Sequence, residues 1–175
     1  MSISLYDAVV RTYLQLLPGV DACLEKGQAH AAATGRNVDE LVDCRIFPDM
    51  LPLHFQIVTL VHMSRGAIHA ARDGTIFGAP DLTLAFDYAG LRAHAREALR
   101  EIDALGPREI DALAGGRVTF QAGDVTLPFI TEAFFLSFAV PHFYFHVTTA
   151  YDILRREGVP LGKLDFLGTP RTRQS

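Results

Sequence analysis

The sequence predicts an all-α fold, a four-helix bundle with a small β-hairpin between the third and fourth helices. Four long stretches repeat apolar residues at intervals of three and four, a spacing that places side chains on one face of an α-helix. Gly35, Gly74 and Gly158 follow three of these stretches and are typical helix stops. Residues 115–129, GGRVTFQAGDVTLPF, instead alternate apolar and polar side chains around turn residues, the pattern of a hairpin.

The first helix is expected from Ser4 to Ala33. The Ser4 hydroxyl can cap a helical N–H group, and the carboxylate of Asp7 favours the positive end of a helix. Pro18 and Gly19 are expected to kink or interrupt it. Its inward stripe consists of Leu5, Val9, Thr12, Leu16, Val20 and Cys23.

The second helix is expected within residues 47–74, with Asp49 as the N-cap and Pro52 in the first turn. A short helix, NVDELV, precedes it at residues 37–42. The third helix has the most regular apolar stripe of the four, with charged residues on its opposite face. That stripe consists of Leu84, Tyr88, Leu91, Ala95, Ala98, Ile102 and Leu105.

The fourth helix is expected over residues 130–157, and the hairpin before it over residues 117–127. Pro141 lies inside this helix, where it lacks an N–H group and crowds the preceding turn. We therefore expect a bend directly before His142. The same proline should free a carbonyl near Ser137, which could accept a hydrogen bond from a water or from a ligand histidine.

Length and composition favour one domain, residues 1–168, followed by a disordered tail at residues 169–175. The 16 Lys and Arg against 20 Asp and Glu give a net charge of −4, and no basic patch indicates a nucleic-acid partner. Isolated Cys23 and Cys44, and an N-terminus without a signal-peptide pattern, predict a reduced, cytoplasmic protein. Residues 133–151 are uncharged and long enough to cross a bilayer, but their polar side chains favour a helix buried in protein, so no membrane partner is expected.

His142 and His146 are the strongest candidates for a functional site. Residues four apart project side by side from one helix face, and this face belongs to the core stripe of the fourth helix. Two imidazoles at this spacing can bind one divalent metal ion, and zinc and nickel both accept imidazole. His62 of the second helix is the leading candidate for a third ligand, and His54 is the alternative.

The other histidines receive simpler interpretations. The competing interpretation of His62 is a hydrogen bond donated to a carbonyl on a neighbouring helix, and His69 is expected to be partly exposed near its helix end. His30 and His94 stand beside charged or small residues, so we expect them to be solvated.

The fourth helix carries more aromatic residues than one core-facing stripe requires. We expect a second face of this helix to be buried, most simply in a homodimer. The surplus consists of Phe134, Phe135, Phe138, Phe143 and Phe145.

Three segments resemble an uncharacterised bacterial family of about this chain length. They are MSISLYDAVV at the start, FPDMLPL in the centre and FYFHVTTAYDILRREGVPLGKLDFLG near the end. That family is similar to the DinB/YfiT-like helical bundles, which are described as metalloenzymes and typically dimerise. The resemblance extends over nearly the whole chain.

The resemblance implies a DinB-like bundle and a divalent metal held by one histidine of helix two and an HxxxH pair of helix four. His142 and His146 match the pair, and His62 is the best match for the remaining ligand, with His54 second. Relatives in the wider superfamily include transferases and an isomerase that use small-molecule thiols as cosubstrates.

Two hypotheses follow. The first is a metal-dependent transferase or isomerase with a thiol cosubstrate, in which His62, His142 and His146 are the metal ligands and the general base is unassigned. The second is a non-catalytic bundle, dimeric and either stress-related or small-ligand-binding, in which the histidines are hydrogen-bonded core residues.

Overall fold

The computed structural model describes residues 3–172, and helices dominate its first half. The second long helix begins at Leu53, with Pro52 at the N-cap position. It therefore starts later than predicted, since Asp49 was the expected N-cap. The elements are α1 Leu5–Ala8, α2 Val10–Thr34, a 3-10 turn Val38–Leu41, α3 Leu53–Val61, a π-helical turn His62–Gly66 and α4 Ala67–Asp73.

The second half combines helices with a small sheet. Asp87 caps α5 by accepting a hydrogen bond from the Gly90 N–H at 2.6 Å, which places the helix start after Leu84. The elements are β1 Ile76–Phe77, α5 Tyr88–Asp103, α6 Pro107–Asp111, β2 Arg117–Ala122, β3 Val125–Ile130, α7 Thr131–Phe134, a second π-helical turn Phe135–Ala139, α8 Val140–Arg156 and α9 Lys163–Leu167.

The helix start predicted at Ser4 is confirmed. Its Oγ accepts a hydrogen bond from the Asp7 N–H at 3.1 Å. A break at Val9 separates α1 from α2, and α2 then remains helical through Pro18. The expected interruption at Pro18 is therefore wrong, and the break lies one turn after the helix start instead.

The second and fourth predicted helices each contain a π-helical turn. The second of these turns ends at Ala139, directly before the first turn of α8, which contains Pro141. A proline there cannot donate to the preceding turn, and the π-helical irregularity lies directly before the position where the bend was expected. The chain is thus mostly helical, with more segments than the four long helices predicted.

The predicted hairpin is confirmed as β2 and β3, which pair antiparallel with Val118 opposite Phe129. Its tight turn has Gly123 at φ 55°, a conformation that favours glycine. The short strand β1, which the sequence analysis did not predict, pairs parallel with β2 and makes a three-stranded sheet in the order β1-β2-β3.

The core lies between α2, α3, α5 and α8. Tyr13 and Tyr88 are fully buried, and each hydroxyl donates to a backbone carbonyl, that of Met63 at 3.0 Å and that of Leu24 at 2.8 Å. These bonds satisfy the phenol groups that would otherwise be costly to bury. The aromatic rings therefore strengthen the packing of helices that are distant in sequence.

The last helix, α9, packs against α2. A side chain at Gly19 would place its Cβ 2.8 Å from the Asp165 carbonyl oxygen, so this glycine allows the close approach. Arg171 donates to the Asp7 carbonyl at 3.1 Å, and residues 173–175 of the expected tail lie outside the described residues. Within residues 3–172, no helix combines the length and apolar character needed to cross a membrane.

Candidate functional site

His146 lies on α8 and contacts α3 through Gln56. Its side chain is 8% exposed, and its Nδ1 is 2.7 Å from Gln56 Oε1. The Gln56 amide nitrogen donates to the Leu51 carbonyl at 2.8 Å, which fixes the amide oxygen toward the imidazole. His146 therefore donates its Nδ1–H to Gln56 and keeps an unprotonated Nε2.

The surroundings keep this imidazole neutral. Burial, reinforced by the adjacent His142, lowers the pKa of His146 from 6.5 to about 4. A neutral imidazole has one lone pair available, either for a metal ion or for a hydrogen-bond donor.

His142 repeats this arrangement one turn earlier on the same helix. Its Nδ1 is 2.8 Å from the Phe138 carbonyl oxygen, which can only accept, so in the neutral imidazole Nε2 carries the lone pair. The acceptor stands next to Ser137, where the sequence analysis expected a carbonyl available to a histidine. In both histidines, Nδ1 is therefore held by a hydrogen bond, and Nε2 takes no part in that bond.

Aromatic rings surround the pair. Phe55 and Phe145 meet the His146 ring edge to face, with centroids 5.7 Å and 5.2 Å away, and Phe138 lies 4.4 Å from the His142 ring. Phe145 is 58% exposed. The pair therefore lies in apolar surroundings with one side toward the protein surface.

His62 has different contacts. It begins the first π-helical turn, and its Nε2 is 2.9 Å from the Gly78 carbonyl oxygen. Its ring stacks on Phe77 at 4.3 Å, and burial lowers its pKa. A Cβ built on Gly66 would lie 3.1 Å from its Nδ1, so this second nitrogen lies beside Gly66, one turn further along the chain.

His54 also forms a contact of its own. Its Nε2 accepts a hydrogen bond from the Phe86 N–H at 3.3 Å, and the two rings stack. The accepting nitrogen is thus engaged by the segment before α5. His94, which the sequence analysis expected to be solvated, is half-buried against Phe86, and burial lowers its pKa.

These contacts decide how well the expected three-histidine set fits a metal ion. Within residues 3–172, no group of three or more His, Cys, Asp or Glu side chains is arranged to hold one. The structure brings His142 and His146 together and gives His62 and His54 partners in the loop between α4 and α5. Two imidazoles of the expected set, those of His142 and His146, therefore share one helix face, and no third His, Cys, Asp or Glu of the described residues joins them.

Gln56 is the residue that the sequence analysis missed. It is, with Thr59, one of two polar residues in the mainly apolar run FQIVTLV and is 3% exposed. A buried amide inside an apolar helix needs a partner, which is a signal available from sequence alone. The partner itself depends on how α3 packs against α8.

Neither cysteine has the character of a nucleophile. Burial raises the pKa of Cys23 to about 11 and also raises the pKa of Cys44, whose thiol contacts Arg36 at 3.3 Å. Both thiols are therefore protonated at neutral pH.

The sequence matches the family model named Domain of unknown function (DUF1993) over residues 5–167. The chain belongs to this family. No curated protein matches this chain.

Among solved structures, a DinB family member protein from Shewanella denitrificans is similar to this DUF1993 chain with a TM-score of 0.78. The two share 23% sequence identity, and the match covers 98% of this chain and 96% of the other. Likeness at this identity shows the fold, so the DUF1993 chain has a DinB-like fold.

Proposed function

We propose that this DUF1993 protein binds a divalent cation, zinc or nickel, through Nε2 of His142 and Nε2 of His146. The observation that carries the proposal is the pair of Nδ1 anchors, Phe138 O at 2.8 Å and Gln56 Oε1 at 2.7 Å. Metal-binding histidines commonly donate their other N–H to an oxygen, which orients the ring and fixes the tautomer.

His62 is left out of this proposal because its Nε2 is engaged by Gly78 and its ring stacks on Phe77. Catalytic zinc sites usually have three protein ligands. Two imidazoles should therefore bind more weakly and leave several positions to solvent or to a small molecule. A bound cation would supply a Lewis acid able to hold a small-molecule thiol as its thiolate, the cosubstrate class that the family resemblance implies.

The chain's own residues perform two tasks in this proposal. Gln56 and the Phe138 carbonyl position the imidazoles, and the rings of Phe55, Phe138 and Phe145 surround them with apolar groups. For His146, this burial lowers the pKa to about 4 and keeps the imidazole neutral.

One observation favours a second function, a non-catalytic bundle without a metal site. The bond between His146 and Gln56 already satisfies one polar group of each of two buried side chains, as in an ordinary core hydrogen bond. In that case the histidine pair supports the packing of α3 on α8.

We also propose that the protein forms a homodimer through the outer face of α8. Tyr144 and Phe145 are 41% and 58% exposed there, and Leu136 on the preceding π-helical turn is 54% exposed. Phe134, Phe135 and Phe143 of the expected aromatic surplus are buried within the chain, so the dimer proposal rests on these exposed apolar side chains, which favour burial against a second copy.

Calorimetric titration of metal-free protein with zinc and with nickel separates the two functions. The cation-binding proposal expects one ion per chain in the wild type and a loss of about tenfold or more in affinity for His142→Ala and for His146→Ala. His30→Ala is the matched control and should bind as the wild type does. Equal, weak binding by wild type and His146→Ala would favour the non-catalytic bundle.

A further inference from the structure

A cleft of about 120 Å³, separate from the histidine pair, lies beside the π-helical turn His62–Gly66. Its polar lining comes from the turn itself, from the loop before α5 and from α5, through His62, Arg65, Asp81 and His94. None of these residues is used by the cation-binding proposal. The cleft therefore stands as a separate candidate site.

His62 presents a hydrogen-bond acceptor to this cleft. Its Nε2–H donates to the Gly78 carbonyl at 2.9 Å, so its Nδ1 carries the lone pair. Gly66, which also lines the cleft, has no side chain to cover that atom; a Cβ there would lie 3.1 Å from Nδ1. The glycine thus keeps the acceptor accessible.

Two further acceptors line the same space. His94 stacks on Phe86 at 4.9 Å and makes no hydrogen bond with another residue of the described range, so one of its ring nitrogens can accept. Asp81 uses Oδ1 to accept from the N–H and the hydroxyl of Thr83, at 2.9 Å and 2.6 Å, and within residues 3–172 its other carboxylate oxygen accepts no hydrogen bond.

The charges near the cleft favour a cation. Arg65 is compensated by Glu101 at 2.8 Å and by Glu97 at 3.7 Å. Counting Asp81, these four side chains carry one positive and three negative charges. An anion would have to compete with two glutamates for Arg65, whereas a cation meets a net negative surface.

We propose that this cleft binds a small primary alkylammonium ion. Its three N–H groups match the three acceptors, His62 Nδ1, a His94 ring nitrogen and the Asp81 carboxylate. Its alkyl part would contact the apolar lining formed by Val58, Val61 and Leu84. This proposal is independent of cation binding at His142 and His146.

Three probes of similar shape test the ligand class: n-propylammonium, n-propanol and propionate. Each is titrated into uniformly ¹⁵N-labelled protein near neutral pH, where an alkylamine is protonated, and binding is followed by NMR. A ligand of this size should bind with a Kd on the order of 1 mM. With propylammonium, we expect saturable shifts of the Gly66 amide and of the His62 and His94 rings. Propanol and propionate should each bind at least about tenfold more weakly. Equal or stronger binding of propionate or propanol, or no shift at these groups with propylammonium, would overturn the proposal.

Two substitutions test the position. Gly66→Ala fills the space before His62 Nδ1 while retaining helical propensity, and Asp81→Asn removes the negative charge. Each should weaken propylammonium binding about tenfold, and circular dichroism should show an unchanged fold. Asp73→Asn, on an exposed aspartate that pairs with Arg72, is the matched control and should bind as the wild type does. Unchanged affinity in both Gly66→Ala and Asp81→Asn would contradict this placement of the ligand.

Discussion

A single buried amide, that of Gln56, sets the tautomer and the orientation of His146. Gln56 is 3% exposed, and its amide connects the Leu51 carbonyl to His146. The amide thus fixes both the tautomer and the orientation of the imidazole. Without it, Nδ1 of His146 would be buried without an acceptor.

Replacement of Gln56 by leucine should therefore destabilise the fold. Leaving the His146 N–H unsatisfied costs about 1–3 kcal/mol in the free energy of unfolding. Urea denaturation measures this difference. Gln28→Leu, at an exposed position of α2, is the control and should change the free energy of unfolding by only about 0.5 kcal/mol.

The depressed pKa of His146 predicts that acid destabilises the metal-free protein. The imidazole titrates at about 4 when folded, against 6.5 when unfolded. Between these values the unfolded chain binds more protons, so stability is complete above pH 6.5 and falls as the pH decreases toward 4. The loss amounts to roughly 3 kcal/mol, and the lowered pKa values of His62 and His94 act in the same direction.

Urea unfolding of metal-free protein across this pH range provides the measurement. His146→Gln removes the titrating group and should flatten the dependence. A stability that rises on acidification through this window would contradict the burial of a neutral imidazole.

At the level of elements, the hairpin and the long helices could be predicted because each has its own periodicity and its own stop signals. The π-helical turns could not, since one extra residue per turn hardly changes an apolar pattern. Strand β1 has two residues, too few for an alternation to be recognised. The first π-helical turn begins at His62, a predicted metal ligand. The position of this side chain thus depends partly on a turn that the sequence did not predict.

The docking of α9 on α2 depends on Gly19. A Cβ at this position would lie 2.8 Å from the Asp165 carbonyl oxygen, a contact that cannot form without moving α9. We expect Gly19→Ala to lower the free energy of unfolding by about 1–3 kcal/mol and to make residues 160–168 more sensitive to proteolysis. Gly162→Ala, at the N-cap of α9, is the control, because a Cβ there meets no atom of the described residues within 4 Å. Equal protease resistance in Gly19→Ala and the wild type would contradict this role.

For the whole molecule, the helical fold was predictable because a regular stripe of apolar residues must be buried. The pairing of His142 with His146 was predictable for a similar reason, since a four-residue spacing on one helix needs no tertiary information. The position of His62 relative to that pair depends on the register between two helices, which no local pattern contains. Its stacking on Phe77 of an unpredicted strand illustrates this limit.

The exposed apolar face of α8 predicts a homodimer in solution. Phe145→Asp places a charge in the centre of this face and should shift sedimentation from dimer to monomer at micromolar concentration. Leu164→Asp, at a side chain that is 74% exposed on α9, should leave the dimer intact. A wild-type protein that sediments only as a monomer would contradict the homodimer.

In the proposed site, Nε2 of His142 and Nε2 of His146 are free to bind one divalent cation. Long-range ¹H–¹⁵N NMR of the imidazoles measures the protonation of each ring nitrogen directly. In metal-free protein at neutral pH, we expect protonated Nδ1 and unprotonated Nε2 for both residues, and on addition of zinc the Nε2 signals of these two should shift while those of His62 and His54 stay in place. Protonated Nε2 in either residue, or zinc-induced shifts at His62 with none at His146, would contradict the claim.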